Sequence, residues 1–275
     1  MYLYERICTT IRHWPTVEHA DWLWDSVRPL YDRCVGLCAP KGVRRVLNGT
    51  DTIRLLPRWR GIPEQYEPES WRQLMGAVRG GDVVVDVGAF IGLYTLSVAK
   101  RVGVVGRVIA FEPDKSNREA LEAHIRLNGF DERVSVLAAA VSDIDGTVAF
   151  HAEGTCESRI GTLDGAHSTT CVRLDSIFPA PQRVDILKID VEGFEERVLD
   201  GGADLFRDLH RRPRLIFIEM HPQLWESSGT TSASVLGKLR GFGYLVKTLD
   251  GQTPQSIETY SNVIAVKEDS AHDIR

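Results

Sequence analysis

Two patterns of hydrophobic and polar positions divide the chain near residue 78. Beyond it, short apolar runs recur at the spacing of buried strands, and between them apolar positions return every three or four residues, as on one face of a helix. Val83–Val87, apolar apart from Asp86, suits a strand covered on both faces. Leu93, Leu96, Val98 and Ala99 then give Gly92–Arg101 a helical face. Arg107–Phe111 predicts a second strand, Lys115–Asn128 a second helix closed by Gly129, and Val134–Ala140 a third strand. Thr147–His151 and Thr170–Leu174 predict shorter strand pieces around the polar insertion Ala152–Gly165. Val184–Ile189 and Leu215–Met220 read as buried strands, with helices opening at Phe194–Leu199 and spanning Ser232–Arg240. Tyr244–Thr248 and Val263–Lys267 fit a closing antiparallel hairpin. Strands alternating with helices predict an α/β fold with a doubly wound, mostly parallel sheet.

Before residue 78 the pattern is irregular. Trp14, Trp22, Trp24, Leu30 and Val35 stand at helical spacing, residues 43–60 read as short strands, and Pro57, Pro63 and Pro68 break the segment that leads into the domain. The expected organisation is a helical and irregular appendage over 1–77, a ligand-binding domain over 78–268 and a tail over 269–275. The three tryptophans suit a lid over a ligand, a contact in a homodimer, or core packing against the sheet.

Composition narrows the function classes. Hydrophobic residues at 43% and charged residues at 26% exclude a long disordered chain. A net charge of −5 argues against a general nucleic-acid binder, which needs a basic face. No stretch reaches the roughly 18 apolar residues of a membrane span, and the start lacks the apolar core of a signal peptide. A cytoplasmic protein is expected. Cys8, Cys34, Cys38, Cys156 and Cys171 are odd in number and scattered, unlike a disulfide framework. Cys34 and Cys38 lie one helical turn apart, but no second pair stands at zinc-ligand spacing, so helix packing fits them better.

The first strand of the domain runs into Asp86-Val87-Gly88-Ala89-Phe90-Ile91-Gly92 and then a helix. In a doubly wound sheet, ligands bind beyond the carboxyl ends of the strands. Gly88 permits a tight turn and Gly92 a close approach of helix to strand. Glu112 ends the second strand about 20 residues beyond Gly92, where a carboxylate can accept hydrogen bonds from both hydroxyls of a ribose. A dinucleotide site needs a mid-loop glycine so that pyrophosphate can approach the backbone, and Phe90 occupies that place. Asp86 would repel a pyrophosphate and attract the ammonium of a methionine moiety. The pair favours S-adenosylmethionine over a nicotinamide cofactor.

With these segments the chain resembles the FkbM family of methyltransferases. The resemblance runs from about Tyr66 to Thr248. It is carried by Tyr66-Glu67-Pro68-Glu69, Gly81-Asp82-Val83-Val84-Val85-Asp86-Val87-Gly88-Ala89, Phe111-Glu112-Pro113, Ala139-Ala140-Val141-Ser142-Asp143, Leu174-Asp175 and Leu187-Lys188-Ile189-Asp190-Val191-Glu192-Gly193-Phe194-Glu195. It implies a Rossmann-like class I methyltransferase fold and a methyl acceptor among the hydroxyls of sugars, glycolipids and macrolide-like natural products. The family usually has Asn where this chain has Phe90. By the same resemblance Asp86, Gly88, Ala89, Phe90 and Gly92 surround the methionine part. Glu112 with Pro113 holds the ribose, Ala140, Val141 and Ser142 lie near the adenine, and Tyr66 and Glu67 fold over the cofactor.

Methyl transfer is an in-line displacement at a sulfonium carbon, so the protein has mainly to align and desolvate the nucleophile. A sugar hydroxyl also needs a base or a metal. Lys188, Asp190 and Glu192 end the fourth strand, and Glu219 and His221 end the fifth, both beside the expected cofactor. Charges interrupting an apolar strand are costly unless paired or functional. His221 is the expected general base because its ordinary pKa lies near neutrality, with Asp190, Glu219 and Lys188 as further catalytic candidates. Asp190, Glu219 and His221 could instead hold magnesium, which oxygen ligands suit, though nothing compels a metal. His124, His151, His167 and His210 fit helix, hairpin and surface positions. Two further readings compete: a nicotinamide-dependent oxidoreductase on a similar sheet, and a non-catalytic cofactor-binding module.

Overall fold

A computed structural model describes residues 39–153, 157–160 and 167–267. The tryptophans at 14, 22 and 24, all the cysteines except Cys171, and most of the insertion Ala152–Gly165 fall outside them.

The chain enters as a hairpin of β1 (Val43–Leu47) and β2 (Asp51–Leu55). Asn48 and Gly49 turn it with φ of 49° and 70°, the left-handed pair that matches strand twist. Helix α1 (Pro68–Ala77) follows, and then the main sheet begins with β3 (Val83–Val87). Helix α2 (Leu93–Val102), β4 (Arg107–Phe111), α3 (Lys115–Asn128) and β5 (Val134–Leu137) complete the first half. The second half contains β10 (Ile186–Ile189), α5 (Glu195–Gly201), α6 (Ala203–Arg207), β11 (Leu215–Met220), α7 (Ser232–Gly241), β12 (Tyr244–Thr248) and β13 (Ser261–Lys267).

The seven strands lie in the order β12-β13-β11-β10-β3-β4-β5. β5, β4, β3, β10 and β11 are parallel, and β13 inserts antiparallel between β11 and β12. The sheet is the expected one, with its antiparallel strands at the carboxyl-terminal edge. Alternate residues feed opposite faces. Val84, Ile186 and Phe217 pack with α1, α2, α3 and the β1–β2 hairpin. Val85, Leu187 and Ile216 pack with α5, α6 and α7. Burial on both faces is why these strands read as nearly unbroken apolar runs.

One expectation needs correction. Val134–Ala140 is not a single strand, because β5 stops at Leu137. Ala140–Val141 forms β6, which leaves the main sheet and pairs with Cys171–Val172 in β9 (His167–Val172). β7 (Gly146–Glu153) and β8 (Glu157–Ile160) complete this second, four-stranded sheet in the order β6-β9-β7-β8, and the short helix α4 (Leu174–Ile177) leads back. No helix among the described residues is long and apolar enough to cross a membrane.

Hydrogen bonds tie the N-terminal hairpin to the domain. Asp51, 1% exposed, accepts from the Trp71 indole at 2.8 Å and from Arg101 at 2.5 and 2.9 Å. Asn128 bonds the backbone N–H and C=O of Arg54 at 2.9 and 2.8 Å.

Candidate active site

The strand order reverses between β3 and β10. Their carboxyl ends, Val87-Gly88 and Ile189-Asp190, lie side by side, with the Asp190 N–H donating to Val87 C=O at 3.0 Å. Gly88 has φ of 82°, and a Cβ there would stand 1.8 Å from the Asp190 carbonyl oxygen. No side chain fits, which gives the glycine read from the sequence its physical reason. The crevice above this crossing opens into a cavity of about 300 Å³.

The cavity has two ends of different character. At one, Gly88, Phe90, Phe111, Glu112, Pro113, Ala139, Ala140 and Val141 form the wall. Glu112 is held by backbone donors: Phe90 N–H reaches Oε2 at 2.7 Å and Asp114 N–H reaches Oε1 at 2.9 Å. Burial pushes its carboxyl up to about 8, against those two hydrogen bonds. Phe90 takes a φ of 51° and meets Trp59 edge-on, ring centroids 5.5 Å apart.

At the other end stand Tyr66, Glu67, Asp190, Glu192 and Glu219. A small annex sharing Tyr66, Gly88, Phe90 and Asp190 adds Asp86, Ala89, Tyr94 and Lys188. Buried Lys188 places Nζ 3.0 Å from Asp190 Oδ2, 4.0 Å from Asp86 Oδ1 and 4.8 Å from the centroid of the Tyr94 ring. Burial pulls its ammonium down, but Asp190, Asp86, Glu219 and Glu67 outweigh that, so it stays charged. Asp86 accepts from Thr95 Oγ at 2.5 Å, and burial raises its carboxyl. Burial pushes Asp190 up to about 7 against the pull of Lys188. Glu67, also raised by burial and by Glu219, accepts from the Tyr94 hydroxyl at 2.9 Å. Glu219 accepts from Tyr260 at 2.6 Å. Its carboxyl is raised by burial but lowered further by His221, Lys188 and Tyr260, and it ends below its ordinary value.

His221 lies behind this wall. Nδ1 is 2.8 Å from Glu195 Oε1, and Nε2 is 3.3 Å from Glu192 Oε2 and 3.7 Å from Glu219 Oε1. Burial lowers its pKa, but these carboxylates raise it to about 10. As it stands the ring is an imidazolium, and the expected general base already carries its proton. Two other expected residues do not line the cavity. A Cβ on Gly92 would stand 2.4 Å from Leu121 Cδ1, so this glycine serves helix packing. The Ser142 hydroxyl is buried and donates to Asp143 Oδ1 at 2.9 Å.

Sequence reasoning gives no role to Glu195, Tyr94 or Tyr260. Glu195 is fully buried at the start of α5, accepting from Gly193 N–H at 3.0 Å and the Trp225 indole at 2.7 Å as well as facing His221. A buried acid on an apolar helix face is the available signal. Nothing local marks Tyr260, which reaches Glu219 from 41 positions away.

A doubly wound sheet with a crevice at the reversal point, an acid at the end of β4, and Phe90 with buried Asp86 where a dinucleotide site needs glycine and no negative charge define the class of S-adenosylmethionine-dependent methyltransferases. Residues 86–246 match the family model described as the methyltransferase FkbM domain, and the chain belongs to that family. Over 235 residues it is 27% identical to the AMB antimetabolite synthetase AmbE of Pseudomonas aeruginosa, a match that covers 70% of this chain and 11% of that protein. The chain thus spans about a tenth of this curated relative. Among solved structures it is similar to an S-adenosylmethionine-dependent O-methyltransferase of Thermotoga maritima, with 16% identity, a TM-score of 0.44 and coverage of 73% of this chain and 64% of that one. It is also similar to the fibrillarin of Aeropyrum pernix with natively bound S-adenosylmethionine, with 15% identity, a TM-score of 0.41 and coverage of 74% and 80%.

Proposed function

We propose that the chain transfers the methyl group of S-adenosylmethionine to a hydroxyl oxygen of a small acceptor of the sugar or natural-product class. The observation that supports this is the carboxylate-lined end of the cavity, where Asp190, Glu192 and Glu219 converge. A hydroxyl must give up its proton as the new bond forms, and an oxygen-rich wall offers both an acceptor for that proton and hydrogen bonds to the neighbouring hydroxyls of a polyol.

In this reading Glu112 accepts from the ribose hydroxyls, and Phe111, Pro113 and Ala139–Val141 enclose the adenine. The methionine end lies in the main cavity with its ammonium toward the annex, where Asp86 and Asp190 face it, and Tyr66 and Glu67 cover it. The cofactor supplies the electrophilic methyl. Lys188 keeps Asp190 in place, and Glu219, fixed by Tyr260, takes the acceptor's proton. His221 orients this wall.

The test is a transfer assay with isotopically labelled methyl donor across sugars, glycosides and macrolide-like lactones, with products analysed by NMR. A labelled methyl ether, formed with a kcat at least about tenfold lower in Glu219→Gln, is the expected result. Methylated nitrogen or carbon would overturn the hydroxyl assignment. Tight cofactor binding with no transfer to any acceptor would leave a non-catalytic cofactor-binding module in its place.

A further inference from the structure

Asp190, Glu192 and His221 each bring one ligand atom to within 4.8 Å of the other two. They arrive from two strand ends, through the loop after β10 and the residue after β11. An octahedral cation with bonds of about 2.1 Å sets neighbouring ligands about 3.0 Å apart and opposite ligands about 4.2 Å apart. Small side-chain rotations bring the three atoms into that range.

The histidine is held as a ligand would be. Its Nδ1 faces Glu195 Oε1 at 2.8 Å, and Glu195 is itself fixed by the Gly193 N–H and the Trp225 indole. With Nδ1–H committed to Glu195, Nε2 points toward Glu192 and Glu219 and offers a lone pair once its proton leaves. Metal-bound histidines are usually held this way, a carboxylate fixing one ring nitrogen while the other binds the ion.

Charge supplies a separate argument. Glu67, Asp86, Asp190, Glu192, Glu195 and Glu219 surround two cations, Lys188 and His221. Bound S-adenosylmethionine adds one net positive charge, its amino-acid part being zwitterionic. The acidic side chains still outnumber the basic ones, a surplus of oxygen ligands of the kind that a hard divalent ion takes.

We propose that Asp190, Glu192 and His221 Nε2 form a divalent-cation site at the acceptor end of the cavity, oriented by Glu195. An imidazole beside two carboxylates suits a first-row transition-metal ion better than Mg²⁺, and Mn²⁺ is the carboxylate-binding member of that row that paramagnetic resonance reads. Resting on the hydroxyl-transfer reading, the bound ion polarises the acceptor hydroxyl. Its proton passes to Glu219, the O–CH₃ bond forms as the S–CH₃ bond breaks, and the electron pair leaves on sulfur as S-adenosylhomocysteine.

The site is tested by binding Mn²⁺ to chelator-treated protein, with no cofactor or acceptor present, followed by electron paramagnetic resonance. Binding and hydroxyl transfer can therefore fail separately. Wild type is expected to take one Mn²⁺ per chain, with a nitrogen coupling from the imidazole. Glu192→Gln should weaken binding at least tenfold, and His221→Asn should abolish the nitrogen coupling. Glu195→Gln should keep that coupling and weaken binding about 10–100-fold, whereas Glu119→Gln on the exposed face of α3 should change nothing. No stoichiometric binding by folded wild type would overturn the site. So would undiminished binding in Glu192→Gln that keeps the cooperative melt of wild type, or a nitrogen signal that survives His221→Asn.

Discussion

The two ends of the cavity solve different problems with different parts of the chain. The glycine-loop end is built mostly of backbone. Gly88 and Ala89 both donate to the Phe111 carbonyl, Phe90 donates to Glu112, and the remaining wall is apolar. The far end is built of ionisable side chains from β3, β10, β11 and the entrance to α1, held apart and together by Lys188 and His221. A backbone site tolerates little change in shape and carries little charge. A side-chain site tolerates changes of shape but depends on the charge balance. Under the proposed function, the first end holds the cofactor and the second the acceptor.

Changing shape at the backbone end should therefore have the largest effect. Gly88→Ala places a methyl group 1.8 Å from the Asp190 carbonyl at a φ of 82°, so β3 and β10 cannot keep their register. The expected loss exceeds about 4 kcal/mol, seen as the absence of a cooperative melt and of cofactor binding. A folded Gly88→Ala variant that binds S-adenosylmethionine would show that the crossing is looser than its geometry requires.

Lys188 is the corresponding point at the charged end. Removing one partner of a buried ion pair costs about 3–5 kcal/mol because it leaves a charge unpaired, and Lys188 faces both Asp86 and Asp190. Lys188→Met should lower stability by that order in denaturant titration, with the double variant Lys188→Met, Asp86→Asn recovering part of it. A loss below about 1 kcal/mol would mean that the carboxylates are balanced elsewhere, and the contrast between the two ends would lose its main support.

The same contrast explains what is legible in the sequence. Val83–Gly92 and Glu112 are contiguous in sequence or a fixed spacing apart, because one strand, one turn and one helix build that end. The fold is readable for the same reason, since β3, β4, β10 and β11 are apolar runs of strand length. Where sequence and structure part, the deciding fact is tertiary. Val134–Ala140 reads as one strand, apolar apart from Ser135, and nothing local shows that Ala140 leaves the main sheet to pair with Cys171. His221 reads as a base from its ordinary pKa, yet its protonation is set first by Glu195, 26 positions away, and then by Glu219 and Glu192. Glu195, Tyr94 and Tyr260 escape a local reading because their partners are long-range.

Glu112 gives a smaller and more specific test. Its carboxyl is raised from 4.5 to about 8 in the folded chain. Between those values the folded state keeps a proton that the unfolded state has released. Its contribution to stability is therefore full below about 4.5 and is lost as pH rises through about 8. The slope is about 1.4 kcal/mol per pH unit inside that window, or a few degrees in melting temperature for a chain of this size. Glu112→Gln should flatten the fall in melting temperature between pH 5 and pH 8 and weaken cofactor binding. An unchanged pH slope would mean that the carboxyl is ionised in the fold, and undiminished binding would remove its ribose role.

The smallest effect is expected at Phe90, where the two principles meet in one residue. Its φ of 51° lies in the left-handed region, which a bulky side chain enters at a cost and Asn enters readily. That is a physical reason for the Asn usual in the family. Here the cost is offset by the edge-on contact with Trp59 at 5.5 Å, a contact worth about 0.5–1.5 kcal/mol. Phe90→Asn relieves the backbone and loses the ring, so the net change in stability should stay within about 1 kcal/mol. Cofactor affinity should change little, because the loop acts through the Phe90 N–H on Glu112 and the side chain only closes the wall. In Trp59→Leu the ring partner is already gone, so Phe90→Asn added to it should stabilise the protein. If the substitution destabilises equally in both backgrounds, the Trp59 contact is not what holds Phe90 in this conformation.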